Sequence, residues 1–341
     1  MTTPSPFESL GVSVPVLAAP MAGGATTPAM VRAAASVGSL GFLAGGYKSA
    51  EALAAEIAAL DGVAAFGVNL FAPNMIHVEA GAYRDYRDAL TPVSQQYGID
   101  VTGIEPTEDD DGWSDKIDLL LADPVPVVGF TFGLPDASVI AALRRAGTVV
   151  VQTVTTPAEA RAAADRGVDL LVVQTTAAGG HSGTWTPHDP PADVSLPDLV
   201  RAVRAATTAP VLAAGGVARR CDVESARAAG AGAVVVGTAL LRSTESGASA
   251  PHKAALASPA RTTVVTRAFT GRPARALRNA FTDEYSARAP LGYPALHHLT
   301  SPIRKAAARA GNVEHLHLWA GTGFAHGTEE STAAILTDLA T

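Results

Sequence analysis

Eight short apolar runs, each followed by an Ala-rich stretch with charges at helical spacing, constrain this chain more than any other feature. The runs begin near Val14 (VPVLAAP), Leu40 (LGFLAGG), Ala64 (AAFGVNLF), Val125 (VPVVGFTFG), Thr148 (TVVVQTV), Asp169 (DLLVVQTT), Ala209 (APVLAAGG) and Ala233 (AVVVGTAL). Most are apolar on both faces rather than alternating, as in parallel strands covered on both sides. Helices are predicted over Thr27–Val37, Ser49–Leu60, Pro157–Arg166, Leu196–Ala205 and Cys221–Ala229. Thr156-Pro157 and Ser195-Leu196-Pro197 read as helix starts, and Gly167 and Gly230 as stops. The runs start 26, 24, 61, 23, 21, 40 and 24 residues apart. Five of these intervals fit a bare βα unit, and two carry extra material. Eight units with no reversal predict a (β/α)8 TIM barrel. An open doubly wound sheet uses the same units, and a strand count does not show closure.

The chain then divides into a barrel over residues 1–241, an insertion over 242–311 and a returning C-terminal segment over 312–341. The insertion carries Pro273, Pro290, Pro294 and Pro302 and reads as mainly helical, covering the barrel mouth. Within the 61-residue interval, the run Glu108-Asp109-Asp110-Asp111 has no metal-site spacing and reads as a solvated loop. The chain ends in a strand-like run, Leu316–Phe324, and a final helix, Glu329–Leu339.

Composition removes other classes. Lys and Arg number 25 against 32 Asp and Glu, so the net charge is −7 and no basic surface for nucleic acid is expected. Hydrophobic residues at 48% against 17% charged residues argue against disorder. Cys221 is the only cysteine, which rules out an intrachain disulfide and a Cys-based metal or iron–sulfur site. It stands at a helix start and is expected to pack. Met1–Gly11 lacks a positive, apolar leader pattern, and no long uninterrupted apolar run occurs. A cytoplasmic protein without a membrane span is therefore expected. The Ala- and Gly-rich exterior is compatible with a homodimer.

Polar and glycine residues collect just after the predicted strands, which in a (β/α)8 barrel is the active-site face. Ala19, Pro20, Met21, Ala22 and Gly23 follow the first strand. Asn69, Thr131, Gln152 with Thr153, and Gln174 close the third to sixth. Gly215-Gly216 and Gly237-Thr238 follow the last two. Gly pairs there let a backbone approach a phosphate, although a tight βα turn alone also calls for Gly. Amides at Asn69 and Gln174 suit the heteroatom edge of a flat heterocycle such as a flavin, or a satisfied core amide. The sharpest feature is Ala177–Gly183 (AAGGHSG). It reads as a flexible loop presenting His181 with nothing bulky beside it, which fits a general base. His297-His298 and His315-x-His317 lack a recognisable third ligand, so no metal is expected. Gly321-Thr322-Gly323 lacks the third Gly of a dinucleotide fingerprint. Tyr47 stands where a P-loop beginning at Gly41 needs Lys.

These pieces together resemble the nitronate monooxygenase family, formerly called 2-nitropropane dioxygenases. The resemblance is carried by APMAGG (Ala19–Gly24), GVNLF (Gly67–Phe71), GFTFGLP (Gly129–Pro135), AAGGHSG (Ala177–Gly183), AAGGV (Ala213–Val217) and VVGTALL (Val235–Leu241). It implies an FMN-binding barrel in which Asn69, Gln174, Gly179, Gly216, Gly237 and Thr238 contact the flavin or its phosphate. It implies that His181 is the catalytic base and that Trp319, Ala320 and Gly321 form a late flavin-contacting segment. With their neighbours, Ala19 to Gly23, Thr131, Gly180 and Gly215 complete the expected cofactor site. The chain departs from the family pattern at Thr175 and Ala177, where a Gly and a Glu are usual, and at Thr322, where Gln is usual.

The implied reaction is oxidation of an alkyl nitronate or nitroalkane with O2 to a carbonyl compound and nitrite. Related barrels serve FMN-dependent NAD(P)H oxidoreductases of the enoyl reductase or quinone reductase type, which is the alternative. A catalytically retired barrel that binds a phosphorylated ligand would share the glycine turns.

Overall fold

The computed structural model describes residues 10–189 and 191–341. Residues 1–9, on which much of the leader reading rests, lie outside it. The strands are β1 (Val16–Ala18), β2 (Gly41–Ala44), β3 (Phe66–Phe71), β4 (Val127–Thr131), β5 (Val149–Val154), β6 (Leu170–Gln174), β7 (Gly180–His181), β8 (Val211–Ala214), β9 (Ala233–Val236), β10 (Thr263–Thr266) and β11 (Ala274–Leu277). Eight of them close a barrel in the order β1-β2-β3-β4-β5-β6-β8-β9, all parallel. β9 pairs back to β1 through Val16↔Val234, Leu17↔Val235 and Ala18↔Val236, which decides the barrel against the open sheet.

The helices form where the caps direct them. Thr156 accepts from the Glu159 N–H and Ser195 from the Asp198 N–H, each satisfying an orphan donor of the first turn. Gly167 ends the Pro157–Arg166 helix at φ +92°, a left-handed conformation that costs Gly little. Leu17, Phe42, Val127, Val151, Leu170 and Leu212 fill the barrel interior. Val68, Phe130, Val150, Leu171 and Val234 join helix residues such as Met30, Leu143 and Val203 in the surrounding layer. Cys221, expected to pack, is instead exposed on the first turn of the Arg220–Ala228 helix.

A second core lies outside the barrel. Tyr83, Tyr86, Leu90, Val93 and Val101 from the long β3–β4 connection pack with Phe269, Phe281, Tyr285, Leu296, Leu299 and Ile303. Residues of the β3–β4 connection and of the segment after β9 thus share this core. The elements of that segment are also mixed: β10 and β11 form a hairpin ladder that continues onto β7. Leu316–Phe324 makes only an isolated bridge, Ala276↔Trp319, rather than a strand. Among the described residues no helix is long and apolar enough to cross a membrane.

Candidate active site

At the C-terminal ends of the barrel strands lies a cavity of about 430 Å³. Strand pleating selects which side chains face it. Asn69, Thr131, Thr153 and Gln174 line it, with Gly129, Val151 and Val172 two residues deeper. Gln152 does not line it. It turns the other way, donating to the carbonyls of Phe130 (3.4 Å), Gly133 (3.0 Å) and Thr153 (3.1 Å).

Ala19, Pro20, Met21, Ala22, Gly23, Gly179, Gly180, Gly215, Gly216, Gly237, Thr238, Trp319 and Gly321 also line the cavity. Ala320 does not. It is fully buried and packs with Leu241, Leu277 and Leu318. The segment around it is held from both sides: Gly321 N–H donates to Thr238 Oγ1 (2.9 Å) and Thr322 N–H to Ala177 O (3.0 Å). This close approach explains Gly179. A Cβ there would stand 2.5 Å from Gly321 N and 2.6 Å from the Ala320 carbonyl carbon. Gly179→Ala should therefore destabilise the protein by ~2 kcal/mol, in the range of overpacked sites. Urea unfolding checks this through the midpoint.

The two amides differ. Asn69 Oδ1 accepts from Thr131 Oγ1 (3.2 Å), and its Nδ2 donor has no partner among the described residues. Gln174 is partly used by the protein: its Oε1 accepts from Gly183 N–H (2.7 Å). It thereby clamps the loop that carries His181.

That loop is not the flexible one its glycines suggest. Gly180 and His181 form β7 and pair with Arg275 and Ala274 of β11, and Ser182 N–H donates to Pro273 O (2.8 Å). Nor does His181 lack bulky neighbours. Its ring lies 5.6 Å from Phe132, 6.0 Å from Tyr293 and 5.2 Å from Trp319, centroid to centroid. These come from three distant segments, so local sequence could not show them. His181 Nε2 is 2.9 Å from Thr270 Oγ1, and Thr270 Oγ1 is 3.4 Å from Arg272 O. If the hydroxyl donates onward to that carbonyl, Nε2 carries a proton and donates to it, and the Nδ1 lone pair is left free. Burial, then the Arg272 and Arg304 guanidiniums, push the imidazole pKa down to about 3. His181 is therefore neutral at pH 7.

Two other imidazoles line the cavity. His252 Nε2 lies 3.1 Å from Trp319 O, and burial lowers its pKa to about 4. His317 is held neutral by burial and nearby cations, and its Nδ1 has no partner. Among the described residues no Asp, Glu, Lys or Arg side chain lines the cavity.

Backbone strain marks the same wall. Among the described residues the non-Gly residues with positive φ are Tyr47 (65°), Asp111 (60°) and Phe132 (82°). Tyr47 and Phe132 line the cavity. Asp111 holds Tyr47 in place, its Oδ1 accepting from the Tyr47 N–H at 2.8 Å, while its Oδ2 pairs with buried Lys116 at 2.7 Å. Such outliers cluster at functional sites. The acidic run is thus only partly a solvated loop. Asp111 is a half-buried anchor, and Asp109 and Glu108 hydrogen-bond to His298 and His77.

A closed parallel barrel with a deep, polar-rimmed cavity at its strand ends defines a (β/α)8-barrel enzyme. The family model described as nitronate monooxygenase matches residues 6–341. A probable nitronate monooxygenase of Staphylococcus saprophyticus is 35% identical over 320 residues, covering 92% of this chain and 89% of that protein. One from Staphylococcus aureus is 34% identical over 321 residues, covering 92% and 90%. The crystal structure of a nitroalkane oxidase from Streptomyces ansochromogenes superposes with a TM-score of 0.89 at 44% identity, over 97% of this chain and 95% of that one. FabK from Thermotoga maritima superposes with a TM-score of 0.74 at 25% identity, over 99% and 95%. The chain belongs to the nitronate monooxygenase family and is an oxidoreductase.

Proposed function

We propose that the protein binds FMN in the 430 Å³ cavity and oxidises alkyl nitronates with O2 to a carbonyl compound and nitrite. The observation that carries this reading is a neutral imidazole, His181, fixed over a cavity whose other polar groups are amides, hydroxyls and glycine backbone. The residues present fit the cofactor. Asn69 has an unused donor for a heterocycle edge. At Gly23 and Gly180 a Cβ would meet nothing within 4 Å, so the wall is open there. The backbone at Gly215–Gly216 and Gly237–Thr238 would hold the phosphate, since among the described residues no cationic side chain lines the cavity.

When bound, FMN supplies electron acceptance from the substrate and reaction with O2. The protein's residues do the rest. Gln174 and β11 fix the His181 loop. Thr270 fixes the imidazole tautomer, as a hydrogen-bond partner to the far ring nitrogen does in general. His181 Nδ1 takes the α-proton when a neutral nitroalkane enters. The covering layer, built from residues 242–311 together with 80–101, excludes water from the mouth.

With a pKa near 3, His181 is a weak base, so a substrate that arrives already ionised is favoured. Purified protein should be yellow with FMN and release nitrite from propyl-1-nitronate in air. A colourless protein that takes up no FMN would remove this reading. Asn69→Ala should weaken FMN binding on the order of tenfold, the cost of one well-placed hydrogen bond. Fluorescence titration of the apoprotein measures it. The similarity to FabK is the observation behind a second reading, an FMN-dependent NAD(P)H oxidoreductase on the same barrel.

A further inference from the structure

Two arginines behind the cavity wall have no counter-ion. Arg272 is fully buried, and Arg304 is only 6% exposed. Among the described residues neither makes an ion pair within 4.0 Å, although eleven other Lys or Arg pairs form. Arg272 donates from Nη2 to Thr184 O, while its Nε and Nη1 have no partner. Glu159, the acid whose charge reaches Arg272, is already engaged. Its carboxylate accepts from Thr155 N–H (2.5 Å) and hydroxyl (2.9 Å), from Trp185 N–H (2.7 Å) and from Thr184 Oγ1 (3.3 Å). Arg304 donates to Thr300 Oγ1 (3.1 Å) and His297 O (2.9 Å).

Both charges abut aromatic rings at the cavity. The Arg272 Cζ lies 4.0 Å from the centroid of Phe132, which lines the cavity. Arg304 Nη2 is 3.3 Å from His297 Nδ1, and His297 stacks on Tyr47 at 4.2 Å with the planes 3° apart. Tyr47 also lines the cavity. An unpaired buried cation is costly. It is retained here at two places that converge on one otherwise uncharged chamber. In a low-dielectric wall such charges act over longer distances than in water, and they are weakly screened by salt.

We propose that Arg272 and Arg304 are specificity residues that select an anionic substrate from behind the Phe132 and Tyr47–His297 rings, without touching it. The proposal rests on the nitronate reading and says which part of the protein favours the ion over the neutral nitroalkane. Burial leaves both arginines charged at neutral pH, with pKa values lowered only to about 10. The same two charges oppose a proton on His181. They therefore weaken the base that a neutral substrate needs while attracting the anion that does not need it.

The test uses FMN-loaded protein. Arg272→Met should shift the ratio of kcat/KM for propyl-1-nitronate over 1-nitropropane toward the neutral form by on the order of tenfold. Most of the change should fall in the nitronate KM. Arg272→Lys, which keeps the charge and loses the fork, should restore most of the ratio. Arg304→Met should shift it in the same direction and carries the test if Arg272→Met does not fold. The parent protein offers a measurement that needs no variant. By calorimetry, propanoate, matching a nitronate in charge and outline, should bind at least tenfold tighter than propanamide. Equal binding of the two, or loss of both substrates in parallel in the Met variants, overturns the proposal. If nitronate is not oxidised but propanoate is still preferred and Arg272→Met removes the preference, charge selection stands and the nitronate reading fails. If nitronate is oxidised but neither ratio moves, the reverse holds.

Discussion

Replacing His181 by Ala should lower kcat/KM on 1-nitropropane by about 10², and on propyl-1-nitronate by less than about tenfold. General bases contribute roughly 10² to 10⁴, and a base this weak belongs at the lower end. The asymmetry follows from where the proton is. A neutral nitroalkane must lose its α-proton inside the cavity, and Nδ1, the ring nitrogen of His181 that Thr270 does not engage, is the group proposed to take it. A nitronate has already lost that proton in solution. FMN content should be unchanged, because the donor proposed for the cofactor edge is the Asn69 amide, not the His181 side chain. Steady-state kinetics with each substrate form, added from separate neutral and pre-ionised stocks, reads the two losses directly. Equal losses on both forms would show that His181 positions the substrate without moving a proton.

The second large effect is on stability. Four imidazoles, His181, His252, His297 and His317, are held neutral in the fold, with pKa values of about 3, 4 and 2 for the first three and a value well below normal for the last. Burial is the first cause in each case. In the unfolded chain each titrates near 6.5. Between that value and the folded one, the unfolded state holds more protons, so stability rises with pH there. The contribution is complete above about pH 6.5 and is lost as pH falls toward 4. Each fully neutral imidazole adds a slope of up to ~1.4 kcal/mol per pH unit. The thermal midpoint should therefore fall steeply from pH 6.5 to 4.5, before most carboxylates titrate. His317→Gln should flatten that slope by about one proton. A midpoint constant from pH 7 to 5 would show that these imidazoles are open to water.

The barrel was legible because its signals are local. Both-face apolar runs such as Val149–Val154 and caps such as Thr156 and Gly167 state their own conformation within a few residues. Strand ends could be located for the same reason, so Asn69, Thr131, Gln174 and the glycine turns were found at the cavity. Pleat phase was harder. Gln152 and Thr153 are adjacent, and only the register decides that Thr153 faces inward. The cover was the least legible part. Thr270, Arg272, Tyr293 and Arg304 reach the site through contacts with partners far away in sequence, such as Thr184 for Arg272. No periodicity announces a guanidinium behind an aromatic ring. Tyr47 and Phe132 could not be singled out either, because a positive φ on a bulky residue is imposed by tertiary anchors such as Asp111. The His181 loop shows both sides. Its glycines and imidazole were plain, but its rigidity comes from β11, more than ninety residues later in the chain.

The central claim is that this cavity oxidises a nitronate with O2 and needs no nicotinamide. Oxygen uptake by the FMN-loaded protein with propyl-1-nitronate, with and without NADH, tests it most directly. Uptake at the same rate in both, with nitrite formed, is the expected result. No uptake without NADH, together with NADH oxidation driven by a quinone or an enoyl thioester, would contradict it.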